Sequence, residues 1–196
     1  MEGGRKNASF KLIVLGDSGV GKTSLVIKQC QETFSYQRAP TIGTTHIKTV
    51  IQIDDYDVEL KIWDTAGQEQ FAALVPMYAR GAQVCIFVAS LVDPASIKHI
   101  ENWHERLNTA GENPPFIVAI NKIDIPTDAS TTIDQVREEY SEKYPNMYFV
   151  SARTGDCVHE LFAGAAQEAL KTLKLKEEDV SVNIAENQKP ANKGCC

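Results

Sequence analysis

The chain has 196 residues, of which 43% are hydrophobic, so it supports one globular domain with a sizeable core and leaves no room for a second full domain. Its formal net charge of −6 at pH 7 gives no excess of positive charge to attract a nucleic-acid backbone. This excludes the usual classes of nucleic-acid-binding protein. Five cysteines without CxxC spacing predict a reducing, intracellular compartment.

Short apolar runs alternate along the chain with amphipathic stretches, as in the β-α units of a mostly parallel sheet. Each apolar run predicts a strand, and each stretch with a single apolar stripe predicts a helix. The predicted strands cover residues 10–15, 84–89, 116–120 and 147–150, and the apolar stripes lie in 25–30, 97–107, 133–144 and 161–173. Alternating apolar residues in 47–53 and 58–63 predict a β-hairpin.

The sequence GDSGVGKT directly follows the first apolar run. Its glycines, Gly16, Gly19 and Gly21, permit positive φ and leave the backbone bare, so successive N–H groups can surround phosphate oxygens beside the following helix. Lys22 would reach the β- and γ-phosphates, and the Thr23 hydroxyl would bind Mg²⁺. A glycine-rich turn without a ligand is the alternative, but this pattern arises by chance in under about 1% of chains of this length. The loop therefore predicts a triphosphate ligand.

The segment NKID, residues 121–124, lies at the end of a predicted buried strand, where open α/β sheets bind ligands. The Asp124 carboxylate can accept hydrogen bonds from the ring N1–H and the exocyclic amine of guanine, whereas adenine has an acceptor at N1 and no amine at C2. A buried carboxylate without a partner is costly, so this residue predicts GTP rather than ATP. A helix cap or turn role for Asp124 is the alternative.

The segment DTAGQ, residues 64–68, supplies what hydrolysis of GTP requires. Asp64 can hold Mg²⁺ through water, Gly67 can offer its N–H to the γ-phosphate, and Gln68 can orient the attacking water. The sequence therefore predicts a GTPase.

Five motifs occur in fixed order, namely GDSGVGKT, TIG, WDTAGQE, NKID and SAR, and the chain ends in CC. In order and spacing they resemble the Rab branch of the Ras-like small GTPases, with the domain covering residues 10–173. The resemblance implies an α/β P-loop NTPase fold, in which a six-stranded, mostly parallel sheet with one antiparallel strand is flanked by five helices. It also implies two switch segments, roughly 34–46 and 64–80, whose conformation depends on the γ-phosphate.

The resemblance assigns further residues to the site. Phe34 falls where the family places an aromatic ring edge-on to guanine, and Ser151 matches the loop that meets guanine O6. The implied catalytic residues are Lys22, Thr41, Gly67 and Gln68, and the implied metal ligands are Thr23, Thr41 and Asp64. The implied nucleotide-binding residues are Asp17, Ser18, Gly19, Val20, Gly21, Lys22, Thr23, Ser24, Phe34, Thr41, Gly67, Asn121, Lys122, Asp124, Ser151, Ala152 and Arg153, the last in place of the usual lysine.

The switch segments depart from the Rab pattern at several positions. His46 stands where the family has a phenylalanine that completes an aromatic triad with Trp63 and Tyr78. Gln70 replaces the expected arginine, and Ala79 replaces the second tyrosine of a pair. The choice of effectors is therefore left open.

The resemblance also implies a monomer that binds GTP and GDP, uses Mg²⁺ and works with regulatory partners. The sequence has no obvious arginine finger in cis, so hydrolysis is expected to be slow without a GTPase-activating protein, of the TBC type in this family. The other implied partners are an exchange factor, a GDP-dissociation inhibitor, a Rab escort protein with its prenyltransferase, and effectors that contact both switches.

The two ends of the chain carry separate expectations. Cys195 and Cys196 do not form a CaaX box, so the resemblance implies double geranylgeranylation and stable membrane anchoring. The polar segment 174–196 is predicted to be a disordered tail, and residues 1–9 an N-terminal extension. The expected location is the cytosol and the cytoplasmic face of an endomembrane, with endosomes favoured because residues 76–83, PMYARGAQ, resemble early-endosomal Rabs.

Two other function classes stay open at this stage. A P-loop kinase would share residues 16–23 but would need a pocket for a phosphoryl acceptor, and NKID with DTAGQ argues against it. A GTP-binding scaffold locked to its nucleotide, with little hydrolysis, is favoured by His46 and the altered second switch. The hydrolysis residues of the 64–68 segment favour a cycling enzyme.

Overall fold

The computed structural model describes residues 4–31, 44–65, 75–127 and 131–187. Within these ranges, six strands and five helices confirm the predicted α/β fold. The elements in chain order are β1 (Lys6–Leu15), α1 (Lys22–Gln31), β2 (Thr44–Ile53), β3 (Tyr56–Thr65), α2 (Val75–Ala79), β4 (Val84–Ser90), α3 (Pro94–Thr109), β5 (Phe116–Asn121), α4 (Ile133–Tyr140), β6 (Met147–Phe149) and α5 (Val158–Asn187).

The strands form one sheet in the order β2-β3-β1-β4-β5-β6. Only the β2–β3 pair is antiparallel among the described strands, and it forms the predicted hairpin, with Ile53 opposite Tyr56. The other neighbouring strands pair in parallel. In a parallel sheet the carboxyl ends of the strands meet at one edge, so the end of β3 and the segments after β1 and β5 come together there.

Helices cover both faces of the sheet, which explains the continuous apolar runs of the central strands. Leu12 and Val14 of β1 pack with residues of α1 and α5, whereas Ile13 and Leu15 pack with residues of α2, α3 and α4. Because side chains alternate along a strand, one run of apolar residues supplies both cores.

Two predicted boundaries differ from the structure. Residues 6–9, predicted to be an extension, belong to β1 because they pair with β3, where Lys6 lies opposite Tyr56. At the other end, α5 continues to Asn187, past the predicted domain end at 173 and into the predicted disordered tail. The helix can continue because no glycine or proline occurs between residues 174 and 189, and Lys174 contacts the hairpin through Asp54. Residues 188–196 lie outside the described residues.

Gly16 lies where β1 passes closely beside β4. Its φ is +144°, and a Cβ built on it would lie 2.1 Å from the carbonyl oxygen of Val88. Gly19 also has a positive φ, +76°, but a Cβ there would meet nothing within 4 Å. Gly16 is therefore required by backbone packing as well as by backbone conformation.

Replacing Gly16 with alanine should lower the free energy of unfolding by about 3 kcal/mol or more, because neither backbone segment can move away without breaking the β1–β4 pairing. Gly19→Ala is the matched control and should lower it by only about 1 kcal/mol, since only the positive φ opposes the new side chain. Urea denaturation without nucleotide measures both. Equal losses in the two variants would contradict the close approach.

Candidate functional site

The loop between β1 and α1 has the conformation of a phosphate cradle. Gly16, Gly19 and Gly21 all have positive φ, and a Cβ on Gly21 would lie 2.3 Å from the side-chain nitrogen of Asn121. Lys22 begins α1 and is only 5% exposed. Its Nζ donates to the carbonyl oxygens of Gly16 at 2.8 Å and Asp17 at 2.7 Å, so the loop surrounds the ammonium group.

Burial lowers the pKa of Lys22 to about 8, although Asp64 and Asp17 oppose the shift. Phosphate oxygens favour the charged ammonium, so bound nucleotide should raise this pKa. At pH values above about 8, binding should then take up a proton, and affinity should fall as the pH rises. Calorimetry in buffers of different ionisation enthalpy should show proton uptake at about pH 8.5 that is smaller at about pH 7.5.

The Lys22→Arg variant is the control for this proton uptake, because a guanidinium stays charged throughout the range. In this variant, proton uptake on nucleotide binding should not increase from the lower to the higher pH value. The same rise in both proteins would show that another group takes up the proton.

Thr23 and Asp64 meet beside the cradle, as their assignment to one metal site requires. Thr23 Oγ1 donates to Asp64 Oδ2 at 2.5 Å, and Asp64 is 1% exposed at the end of β3. The two residues would give Mg²⁺ two protein oxygen ligands, and Mg²⁺ is usually bound by one or two protein oxygens together with the substrate phosphates. No group of three or more His, Cys, Asp or Glu that could hold a metal occurs in the described ranges. These two residues thus fit a Mg²⁺ ion that nucleotide helps to bind.

Asn121 connects the phosphate cradle with the predicted guanine site. It ends β5 and is 1% exposed. Its Nδ2 donates to the carbonyl oxygen of Val20 at 2.8 Å, and its Oδ1 accepts from the backbone N–H of Ala152 at 3.1 Å. One side chain therefore fixes the distance between the loop after β1 and the loop after β6.

Asp124 and Ser151 lie together at the predicted guanine end of the site. Ser151 Oγ donates to Asp124 Oδ1 at 2.6 Å and accepts from the backbone N–H groups of Arg153 and Thr154. Asp124 Oδ2 is buried and accepts no hydrogen bond from any residue that the structure describes, and Arg153 Nη1 lies 3.6 Å away. The carboxylate is thus held in place by one oxygen while the other can receive the N–H groups of a ligand.

A pocket of about 220 Å³ connects these two loops. Its lining contains one apolar residue that sequence reasoning missed, Ile125, which is 41% exposed and lies next to Asp124. The sequence signal that could have indicated Ile125 is its position directly after NKID. The lining residues are Gly19, Gly21, Ser24, Asn121, Lys122, Asp124, Ile125, Ala152 and Arg153.

Two further residues that sequence reasoning missed contact the cradle from α3. Trp103 Nε1 donates to Asp17 Oδ1 at 2.8 Å, and His99 Nδ1 lies 2.6 Å from Asp17 Oδ2. No local sequence signal links them to the loop, because the contacts cross more than eighty residues of chain. The other predicted cradle residue, Ser18, is exposed at the tip of the loop.

Several predicted residues lie outside the described residues, namely Phe34, Thr41, Gly67, Gln68, Gln70, Cys195 and Cys196. Of the predicted aromatic triad, His46 and Trp63 are in edge-to-face contact with ring centroids 5.5 Å apart. Tyr78 packs against the core formed by α2, α3 and α4. Ala79 is fully buried in the same core, which suits its small side chain.

Comparison with known proteins identifies the chain's relatives. Residues 11–171 match the model of the Ras family. The chain is 35% identical to the Ras-related protein Rab7 of Pisum sativum over 97% of this chain and 98% of that protein. It is 36% identical to the Ras-related protein RABG3b of Arabidopsis thaliana and 33% identical to the Ras-related protein Rab-7a of Paramecium octaurelia, over 98% of both chains in each case. Within the described helices, none is long and apolar enough to cross a membrane.

Proposed function

The chain belongs to the Ras family of small GTPases, and we propose that it acts as a Rab7-type switch on late endosomal membranes. Its Rab relatives cover almost its whole length, so it is a Rab GTPase that hydrolyses GTP and regulates membrane trafficking. The kinase and the nucleotide-locked scaffold are thereby disfavoured. The early-endosomal type suggested by PMYARGAQ is not supported, since the relatives are Rab7 proteins. That octapeptide is too short to assign a compartment.

The observation that carries the proposal is the position of Asn121 between the two loops. Its bonds to Val20 and Ala152 hold the cradle and the base-reading Asp124 at a fixed separation. In the proposed complex, the backbone of the cradle and Lys22 bind the phosphates, and Asp124 binds the guanine N1–H and amine. The pocket between these groups can take the rest of the nucleotide.

Hydrolysis is assigned to residues around the γ-phosphate. Gln68 would orient the attacking water, Gly67 would donate its N–H to the γ-phosphate, and Lys22 would stabilise the charge that develops on it. Thr23, Asp64 and, by the family resemblance, Thr41 would hold a Mg²⁺ ion, which would supply positive charge to stabilise the phosphates. A GTPase-activating protein, of the TBC type by resemblance, would supply an arginine at the γ-phosphate, because the sequence has no obvious arginine finger in cis.

The chain would cycle between cytosol and membrane through the partners implied by the resemblance. An exchange factor loads GTP, effectors contact the switch segments, and a GDP-dissociation inhibitor removes the GDP form from the membrane. The contact of His46 with Trp63 puts a smaller, polar ring into the surface that effectors would use. We infer that effectors of this chain differ from those that require the phenylalanine.

Replacing both Cys195 and Cys196 with serine should move the protein from membranes to the cytosol. Two prenyl chains anchor stably where a single lipid is marginal, so a large loss from the membrane fraction is expected. Fractionation of cells that express the full chain measures it, and Cys157→Ser, at an exposed cysteine of the domain, is the matched control. A double variant that stays on late endosomal membranes would contradict lipid anchoring, and a wild-type chain on other membranes would contradict the assigned compartment.

A further inference from the structure

The carboxylate of Asp17 is held by two side chains of α3. Trp103 is 5% exposed, and its indole N–H can donate only, so its bond to Asp17 Oδ1 at 2.8 Å has one possible direction. His99 Nδ1 lies 2.6 Å from Oδ2, and it must carry the proton if the carboxylate is ionised. Each oxygen of Asp17 is therefore bound by a different residue of the same helix.

The backbone of Asp17 contacts the lysine that binds phosphate in the proposed function. Its carbonyl oxygen accepts from Lys22 Nζ at 2.7 Å. The side chain of Asp17 thus contacts two residues of α3, and its main-chain carbonyl oxygen accepts from Lys22. Fixing the carboxylate therefore restricts the movement of Asp17, including the peptide unit that contacts the ammonium group.

The helix that supplies the two donors is firmly packed. Ile97, Ile100 and Leu107 of α3 are buried in the core that also contains Val75 and Ala79 of α2. The guanidinium of Arg106 lies over the Trp103 ring, 5.1 Å from its centroid. Because the indole cannot shift easily, it is a fixed point against which the cradle can be aligned.

We propose that His99 and Trp103 are positioning residues that act through the Asp17 carboxylate to hold the cradle in its nucleotide-binding geometry and so slow nucleotide release. This inference rests on the proposed function of the cradle. Neither residue lines the pocket between the cradle and Asp124, so both would act by fixing the loop that binds phosphate. The proposal requires that their effects disappear when the Asp17 carboxylate is absent.

The test is the dissociation rate of a fluorescent GDP analogue from the full chain, chased with excess GDP. Trp103→Phe keeps the aromatic ring but removes the donor, and release should become about tenfold faster. His99→Leu should accelerate release by about threefold, because this exposed contact is more strongly screened. His99→Gln retains an N–H donor and should release more slowly than His99→Leu. Lys98→Gln, at an exposed neighbour on α3, should match wild type.

The Asp17→Ala background separates positioning from a general effect on folding. Asp17→Ala should itself accelerate release, and in that background neither Trp103→Phe nor His99→Leu should add to it. If these substitutions still accelerate release there, they act by another route and the proposal is wrong. Release within about twofold of wild type in all single variants would also overturn it.

A spectroscopic signature tests the contact itself. The chain has only two tryptophans, so a nitrogen-proton correlation spectrum shows two indole signals, and Trp103→Phe identifies one of them. A hydrogen bond to a carboxylate should shift the Trp103 signal downfield, and Asp17→Ala should move it upfield. An unmoved signal would contradict the contact. Failure of the wild-type chain to bind the GDP analogue would instead contradict the proposed function.

Discussion

Asp124→Asn should lower the affinity for GTP by about a hundredfold to a thousandfold and raise the affinity for xanthosine triphosphate. In the structure, Asp124 Oδ1 accepts from Ser151, and the buried Oδ2 can accept the guanine N–H groups. An asparagine keeps the acceptor for Ser151 but places an amide donor opposite the guanine amine. Xanthine has a carbonyl at that position, so the same amide would bind it. Competition against a fluorescent guanine nucleotide measures both affinities.

Asp156→Asn is the matched control for this specificity change. Asp156 is an exposed acid in the loop that follows Ser151 and does not line the pocket between the cradle and Asp124. Its neutralisation changes the net charge equally but should leave the preference for guanine intact. If Asp124→Asn bound the two triphosphates in the wild-type ratio, Asp124 would not be the residue that reads the base.

Lys22→Met should reduce the affinity for GTP by at least about a hundredfold, since the charge-assisted bonds to phosphate are among the strongest polar interactions available to a protein. Without nucleotide, Lys22 Nζ bonds to the carbonyl oxygens of Gly16 and Asp17. Exchanging these bonds for bonds to phosphate offsets part of the binding free energy that Lys22 contributes. Methionine has a similar length and fills the same buried space. Equilibrium titration with GTP and with GDP measures the loss.

Lys28→Met provides the control for Lys22→Met on the same helix. Lys28 lies beside Gly155 rather than at the cradle, so its removal should change nucleotide affinity by less than about threefold. Circular dichroism should show that both variants are folded. Tight GTP binding by Lys22→Met would contradict the assignment of the loop as a phosphate cradle.

The central elements of the fold could be predicted because their sequence patterns are local. β4 and β5 are buried on both faces and therefore appear as continuous apolar runs, and α3 carries one clear apolar stripe. The missed boundaries depend on distant partners. Lys6 and Asn7 of β1 are polar and are strand only because β3 lies beside them. The helix α5 extends beyond its apolar stripe through a segment that contains no glycine or proline.

The same distinction applies to the site. The cradle and the NKID segment are each one continuous stretch of sequence, and the roles predicted for Lys22, Thr23 and Asp124 follow from the chemistry of those side chains. The position of Asn121 between Val20 and Ala152, and the contact of Trp103 with Asp17, join segments that lie far apart in the chain. Such contacts depend on how α3, β5 and the loops are arranged in the folded chain. A local sequence pattern cannot predict that arrangement.

The central claim is that one pocket binds phosphate at the cradle and guanine at Asp124. The most direct measurement is chromatographic identification of the nucleotide released when the purified chain is denatured. Because the pocket should hold its ligand through purification, we predict an equimolar amount of guanine nucleotide, with GDP in excess over GTP. Adenine nucleotide, or a chain that carries none and takes up none when incubated with GDP and Mg²⁺, would contradict the claim.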